Sequence, residues 1–202
     1  MKLDKYRGII PAFYACYDKA GEVSEDGVRA LTRYFVDQGV KGVYVDGSSG
    51  ECIYQSVEDR KKTLEAVMDE AAGCLTVIAH VACNNTRDSR ILAAHAQDLG
   101  VDGIAAIPPI YFKLPEYSVA GYWNDISEAA PETDFIIYNI PQLAGTALTM
   151  NLLKTMLLNS RVAGVKNSSM PVQDIQMFKA EAMKTRQDFI VFNGPDEQLV
   201  SG

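Results

Sequence analysis

Lys166 ends a mostly apolar run, residues 161–165, that has the length and composition of a buried strand. An ammonium group is costly to remove from water, so a lysine at this position has two interpretations. The side chain can extend from the strand end to solvent. Alternatively, it can be held in a pocket as an amine nucleophile that forms a Schiff base with a ketone. The run alone does not decide between them.

Two other apolar runs are followed by side chains that could complete such a site. Gly47, Ser48 and Ser49 follow one run and offer hydroxyls and backbone amides that can hold a carboxylate. Tyr138 ends another run, and its phenol can relay a proton. Each also has a structural interpretation, because the serines can cap a turn and the tyrosine can sit at the edge of the core.

Asp196 and Glu197 come shortly after the last apolar run. Their carboxylates could accept hydrogen bonds from sugar hydroxyls, although acids are also common at helix starts, where they face the positive end of the helix dipole. Each of these signals is weak by itself. A carboxylate cradle, a phenol and an amine in one place would suit an aldolase that acts on a 2-keto acid. Such a site requires a fold that brings these strand ends together.

The elements that must position these residues alternate along the chain. Amphipathic segments with apolar residues at helical spacing separate the apolar runs, and we expect helices to begin near Ser24, Ser56 and Thr86, which are suitable capping residues. Such alternation is typical of a parallel sheet. The runs predicted to be strands are residues 8–15, 42–45, 75–81, 103–107, 135–138, 162–166 and 189–192.

Seven regularly spaced strands favour an α/β fold of the TIM (β/α)8 barrel type over an open doubly wound sheet. The first strand–helix connection also lacks the GxGxxG pattern of dinucleotide-binding sheets. In such barrels the active site lies at the carboxyl ends of the strands. Because a barrel needs eight strands and about 250 residues, we expect residues 1–202 to be one barrel domain that stops before strand 8 and the C-terminal helices.

Composition narrows the functional classes. The net charge of −7 and the pI of about 4.9, without a basic run, argue against nucleic acid and anionic membrane surfaces as partners. The sequence has no apolar stretch long enough to cross a membrane, and Pro11 and Asp18 interrupt the apolar start, which makes it a poor signal peptide. We therefore expect a cytoplasmic protein.

Cysteine and histidine usage predicts no metal site. The four cysteines show no ligand spacing and are interpreted as free thiols of a reducing compartment, although paired disulfides stay open. His80 falls in a predicted strand and His95 in a predicted helix, without ligand spacing near either. Both are interpreted as structural histidines.

Four motifs occur in the order expected of one aldolase family. They are GSSGE at 47–51, YNIP at 138–141, GVKNSS at 164–169 and FNGPDE at 192–197, and the interval from Tyr138 to Lys166 is 28 residues. The sequence resembles the N-acetylneuraminate lyase/dihydrodipicolinate synthase family of class I pyruvate-dependent aldolases. The resemblance extends over the whole chain.

The resemblance implies a role for each matched residue. Lys166 would form the imine with pyruvate or with the keto carbon of a sugar acid, and Tyr138 would carry the proton. Ser48, Ser49 and the amides of the loop from Gly47 would hold the substrate carboxylate. Tyr111 would reach across a subunit contact to complete a proton relay, which implies a homotetramer. The covalent imine is the electron sink, so no metal or cofactor is expected.

The resemblance also implies a branch of the family. Leu143 occupies the position of an arginine that holds a second carboxylate in the synthase branch, and Ser168 stands where the lyase branch usually has threonine. Gly194, Asp196 and Glu197 resemble the lyase motif that binds the polyol tail. The expected reaction is cleavage of N-acetylneuraminate to pyruvate and N-acetylmannosamine. Open alternatives are dihydrodipicolinate synthase, another 2-keto acid or sugar-acid aldolase or dehydratase, and a non-catalytic binding protein.

Overall fold

A computed structural model describes residues 3–186 and 188–202, and strands and helices alternate in it as predicted. The strands are β1 Gly42–Val45, β2 Thr76–His80, β3 Gly103–Ala106, β4 Asp134–Asn139, β5 Val162–Asn167 and β6 Ile190–Asn193. The helices are α1 Glu25–Asp37, α2 Val57–Ala71, α3 Thr86–Asp98, α4 Glu116–Ala129, α5 Pro141–Ala144, α6 Met150–Met156 and α7 Gln173–Ala182, with 3₁₀ turns at Asp4–Tyr6 and Asp196–Gln198. Within these described residues, no helix has the length and apolar character needed to cross a bilayer.

The strands form one parallel sheet in chain order, from β1 to β6. A short distance across the sheet shows that it is strongly curled. The Lys166 Nζ on β5 lies only 4.8 Å from the ring centroid of Tyr44 on β1. Neighbouring strands lie about 4.8 Å apart, so a flat sheet would separate β1 from β5 by roughly 19 Å. The six strands therefore form part of a barrel, which confirms the predicted fold class.

Two apolar layers follow from the alternation of side chains along each strand. One face of the sheet, with residues such as Val43, Ile104 and Val165, packs against the helices in a large buried cluster that includes Trp123. The other face lines the interior of the curl with a smaller cluster: Leu3, Tyr6, Tyr44, Ile78, Ala105, Ile136, Tyr138, Ile140 and Ala144. Aromatic residues make up a larger share of this smaller cluster than of the larger one. The side chains of the strand ends meet in this interior.

The prediction of a regular strand at residues 8–15 is wrong. Ala12 forms only an isolated parallel bridge with Tyr44. The Tyr44 N–H donates to the Pro11 carbonyl, and the Phe13 N–H donates to the Tyr44 carbonyl, both at 2.9 Å. Pro11 has no N–H to donate, so the segment lies beside β1 without a full ladder.

Two of the three predicted helix caps are confirmed. The hydroxyls of Ser24 and Ser56 accept hydrogen bonds from the backbone N–H groups three residues later, at the starts of α1 and α2. The prediction for α3 is wrong by one residue, because Asn85 is the cap and Thr86 is the first helical residue. Asparagine is the stronger capping residue, and its Oδ1 accepts from the Asp88 N–H at 2.8 Å.

Tyr6 closes the interior at the amino ends of β3 and β4. Its hydroxyl lies 2.5 Å from the carbonyl oxygen of Asp102 and 3.1 Å from the Asp134 carboxylate. Burial, followed by the nearby Asp134 and Asp102 carboxylates, raises the pKa of this phenol far above its usual value. The hydroxyl therefore stays a proton donor, and it ties the N-terminal segment to the sheet.

We predict that Tyr6→Phe lowers the free energy of unfolding by about 1–3 kcal/mol, since the Asp102 carbonyl and the Asp134 carboxylate would each lose one of their hydrogen-bond donors while keeping the contact with Lys5. Urea unfolding followed by circular dichroism measures this change. Tyr54→Phe is the matched control, because Tyr54 is largely exposed, and its effect should stay within about 0.5 kcal/mol. Equal stability of the two variants would contradict the proposed tie.

Candidate active site

Tyr138 and Lys166 are direct neighbours in the register between β4 and β5. Both lie near the carboxyl ends of their strands, and their side chains meet inside the curl. The Lys166 Nζ lies 3.8 Å from the ring centroid of Tyr138. An ammonium group over an aromatic face is attracted by the ring quadrupole, so the two rings, Tyr138 and Tyr44, hold the amine inside the molecule. The lysine is half-buried and does not extend freely to solvent.

Two hydroxyls extend this pair into a short polar row. The Ser48 Oγ lies 3.4 Å from the Tyr138 hydroxyl, and either oxygen can be the donor. On the other side, the Lys166 Nζ donates to the Ser168 Oγ at 3.3 Å. The row therefore joins the loop after β1 to the residues after β5, as expected for a site at the carboxyl ends of a barrel.

The loop that carries Ser48 and Ser49 is held close to the interior. A Cβ at Gly47 would come within 2.8 Å of the Tyr44 ring, so this glycine allows the loop to lie on the aromatic side chain. The Glu51 N–H donates to the Ser48 carbonyl, and the Ala15 N–H donates to the Ser49 carbonyl. Ser48 is exposed and Ser49 half-buried, so Ser48 contacts Tyr138 from an accessible position.

Gly194 and Ser168, both predicted substrate contacts, lie against each other. The Gly194 N–H donates to the Asn167 carbonyl at 2.8 Å. A Cβ at position 194 would lie 2.1 Å from the Ser168 Oγ, so a residue other than glycine would collide with this hydroxyl. Asp196 and Glu197 follow on the same edge, exposed at the start of the second 3₁₀ turn.

Tyr111 and Leu143 lie apart from the pair of Tyr138 and Lys166. Tyr111 is 90% exposed, and its ring contacts Phe112 edge to face at 4.9 Å between centroids. Its φ of +83° is unusual for a residue with a side chain. The chain does not bring Tyr111 to Lys166, and its reach across a subunit contact stays a prediction. Leu143 is 62% exposed on α5, directly after β4.

A buried amide pair supports the strand ends beneath Tyr138 and Lys166. The Asn139 Nδ2 donates to the Asn167 Oδ1 at 2.7 Å, and the Asn139 Oδ1 accepts from the Leu148 N–H. Gln142 adds a bond from its Nε2 to the Ser168 carbonyl at 2.7 Å. These bonds fix the ends of β4 and β5 relative to each other, one residue beyond the amine and the phenol.

The sequence interpretation missed Tyr44 as a residue of the site and gave His80 only a structural role. The Tyr44 ring lies 5.5 Å from that of Tyr138, and the His80 ring lies 5.9 Å from Tyr138, edge to face. Both residues share the inward parity of their strands with Ile78, which is buried in the same interior. Counting two residues along β1 and β2 from the inward face is the signal that could have found them.

Buried ionisable groups lie beside these rings. Arg60 on α2 is 2% exposed and donates to the carbonyls of His80 and Ala82. Burial raises the pKa of Asp46 to about 7, and the Arg60 cation opposes this shift. Burial, followed by the Arg60 cation, also lowers the pKa of His80 well below its usual value. The imidazole is therefore neutral.

No metal centre accompanies the site in residues 3–186 and 188–202, where no three His, Cys, Asp or Glu side chains form a suitable cluster. The four cysteines are free thiols. The grouped functional groups are an amine, a phenol and two hydroxyls. This set can support addition of the amine to a carbonyl and transfer of a proton at the neighbouring atoms.

Comparison with known proteins agrees with this chemistry. The chain is 71% identical over 200 residues to an N-acetylneuraminate lyase of Mediterraneibacter gnavus, a match that covers 99% of this chain and 62% of the relative. It is 32% identical over 196 residues to N-acetylneuraminate lyase of Escherichia coli, which covers 97% of this chain and 65% of that protein. The chain thus spans less than two thirds of the length of these relatives.

Solved structures of related proteins are also similar to this chain. The wild-type sialic acid aldolase of Ruminococcus gnavus has a TM-score of 0.95 and 70% identity, covering 98% of this chain and 65% of that one. CdNal from Clostridium difficile, solved in complex with mannosamine, has a TM-score of 0.89 and 30% identity, covering 96% and 66%. The model of the Dihydrodipicolinate synthetase family matches residues 5–202. The chain therefore belongs to the dihydrodipicolinate synthetase family.

Proposed function

We propose that this chain carries the Schiff-base site of an N-acetylneuraminate lyase, which cleaves N-acetylneuraminate to pyruvate and N-acetylmannosamine. The observation that carries the proposal is the placement of the Lys166 Nζ, 3.8 Å from the Tyr138 ring centre and 3.3 Å from the Ser168 hydroxyl. The names of the relatives, N-acetylneuraminate lyase and sialic acid aldolase, support the choice of substrate.

Lys166 and Tyr138 take the two chemical roles. The neutral amine of Lys166 adds to the keto carbon of the open-chain sugar acid. The Tyr138 phenol gives its proton to the hydroxyl that leaves as water, which produces the protonated imine and a phenolate. Counted from the keto carbon, the next carbon is α and the one after it, β, carries a hydroxyl. Tyr138 then accepts the proton of this hydroxyl while the bond between the α and β carbons breaks. The electron pair of that bond moves into the imine and forms an enamine. Protonation of the enamine and addition of water release pyruvate and restore the amine.

Binding of the substrate is assigned to the neighbouring loops. Ser48, Ser49 and the amides from Gly47 onward hold the carboxylate of the keto acid, since hydroxyl and amide donors match its oxygens. Ser168, with Gly194 beside it, contacts the sugar chain. The carboxylates of Asp196 and Glu197 accept hydrogen bonds from the hydroxyls of the polyol tail; both are exposed on the same edge.

Three further features belong to the same proposal. The imine supplies the electron sink, so the reaction needs no metal or organic cofactor. Tyr111, exposed on its loop, is proposed to reach the site of a neighbouring subunit within a homotetramer. We place the enzyme in the cytoplasm, where free cysteines are typical.

We predict that sodium borohydride with pyruvate adds a stable mass to the full-length protein at Lys166. Lys166→Ala should lose the adduct and lose on the order of 10³-fold or more in kcat, because no other group would form the imine. Mass spectrometry of the digested protein locates the adduct. Lys154→Ala, which removes an exposed lysine on α6, is the control that should trap normally. A Lys166→Ala protein that still traps pyruvate would exclude this nucleophile.

We predict that Tyr138→Phe lowers kcat by about 10²–10⁴-fold, the usual contribution of a positioned acid–base group. The phenylalanine ring would still lie under the Lys166 amine, so trapping with pyruvate should persist. Steady-state assays and borohydride trapping on the same preparation separate the two effects. Tyr117→Phe, at an exposed tyrosine of α4, should leave both unchanged. A decrease of less than about 10-fold would remove Tyr138 from the proton transfer.

We predict that a substrate panel shows cleavage of N-acetylneuraminate and no condensation of pyruvate with aspartate semialdehyde. The physical reason is Leu143, an exposed apolar side chain at the position where the resemblance to the synthase branch implies a cation for a second carboxylate. Product formation is followed by chromatography. Activity with aspartate semialdehyde alone would assign the chain to the synthase reaction while leaving the imine at Lys166 in place.

A further inference from the structure

His80 links the carboxyl ends of two strands that are not adjacent in the sheet. Its ring is buried, and its Nδ1 lies 2.9 Å from the carbonyl oxygen of Asp46, the residue that follows β1. Because a carbonyl only accepts hydrogen bonds, the proton resides on Nδ1. The Nε2 is then free to accept from the Ile107 N–H, at 3.4 Å, directly after β3.

The strand that carries His80 is itself fixed from the helical layer. The buried guanidinium of Arg60 donates to the His80 carbonyl and to the Ala82 carbonyl, so the end of β2 is tied to α2. Burial, followed by the Arg60 cation, keeps the ring neutral by lowering its pKa, and the hydrogen bond to the Asp46 carbonyl opposes this shift. A neutral ring with a defined tautomer makes one donor and one acceptor bond, which matches its two partners.

The His80 ring contacts both sides of the Ser48–Tyr138 hydrogen bond: the Asp46 carbonyl, two residues before Ser48, and the ring of Tyr138. Asp46 has a φ of +57°, a conformation that is unfavourable for a residue with a side chain and persists only when other contacts hold it. Its carbonyl is bound by His80, and Ser48 follows two residues later. The edge of the same ring packs against Tyr138, with 5.9 Å between centroids.

We propose that His80 is a positioning residue of the reaction: by holding the Asp46 carbonyl and packing against Tyr138, it sets the loop that binds the keto-acid carboxylate through Ser48. The role rests on the proposed lyase function. The His80 ring is buried and contacts the loop and the phenol, and the proposed role acts through these two. Its loss should therefore affect substrate binding more than the chemical step.

Two variants separate hydrogen bonding from the filling of space. In His80→Asn, the amide nitrogen takes the place of Nδ1 and can still donate to the Asp46 carbonyl, although the side chain is smaller. In His80→Gln, the side chain nearly matches the ring in length, but its amide reaches the place of Nε2 and loses the Asp46 bond. A packing role predicts that glutamine is the better replacement, whereas the positioning role predicts asparagine.

The test is steady-state kinetics with N-acetylneuraminate on the full-length protein. We expect His80→Gln to raise KM about 10-fold with a smaller change in kcat, which is about the value of one hydrogen bond, and His80→Asn to stay within about 3-fold of the wild type. His95→Asn is the control, because His95 lies on α3 and pairs with Glu65. Equal KM values for His80→Gln and the wild type, or a larger KM for His80→Asn than for His80→Gln, would overturn the proposal.

A spectroscopic measurement keeps the proposal testable should these variants fold poorly. Nitrogen NMR of the wild type should show a neutral His80 ring protonated on Nδ1, identified by sequential resonance assignment and checked against His95→Asn. A proton on Nε2, or a cationic ring near pH 7, would overturn the proposal. Wild-type trapping of pyruvate is measured in parallel. Failure to trap would refute the lyase assignment, whereas trapping with an unaltered KM in His80→Gln would refute only the role of His80.

Discussion

The curl of the sheet is the constraint on which the site depends. Tyr138 and Lys166 are neighbours by register, but Tyr44 and Ser48 belong to the first strand and the loop after it. Only a sheet that bends back on itself places the Tyr44 ring under the Lys166 amine and the Ser48 hydroxyl beside the Tyr138 phenol. The aromatic side chains inside the curl occupy the interior and form the walls that hold the amine.

Next to these aromatic side chains, hydrogen bonds position the strand ends, which apolar packing alone cannot do. Packing fixes how close two strands come, whereas hydrogen bonds are directional and fix where their ends lie. The Asn139–Asn167 pair aligns β4 with β5, and His80 connects the ends of β1 and β3. Arg60 joins this network to the helical layer. The amine, the phenol and the Ser48 hydroxyl are therefore held in place by groups that lie outside the row they form.

Much of this arrangement could be predicted from the sequence, because strand ends in a parallel α/β fold converge whatever the detailed register. The positions of Lys166 and Tyr138 at such ends were readable from the apolar runs alone. Tyr44 and the site contact of His80 could be found only by also working out which face of each strand points inward, and their distances from Tyr138 depend on how tightly the sheet curls. The prediction of a regular strand at residues 8–15 failed for a local reason. The composition favours a strand, but Pro11 has no N–H and interrupts the hydrogen-bond ladder. The roles of the matched residues came from the resemblance, and they stay predictions until the experiments are done.

Asp46 gives the molecule a link between folding and proton uptake. Its carboxyl is buried beside the loop that carries Ser48, and its pKa rises from the usual 3.8 to about 7. Between these two values the folded chain holds a proton that the unfolded chain has released. Folding in this window therefore takes up a proton, and the contribution of Asp46 to stability declines as the pH rises toward 7. The Asp46 carboxyl, two residues before Ser48, thus makes the fold sensitive to pH in the range where most carboxylates are already ionised.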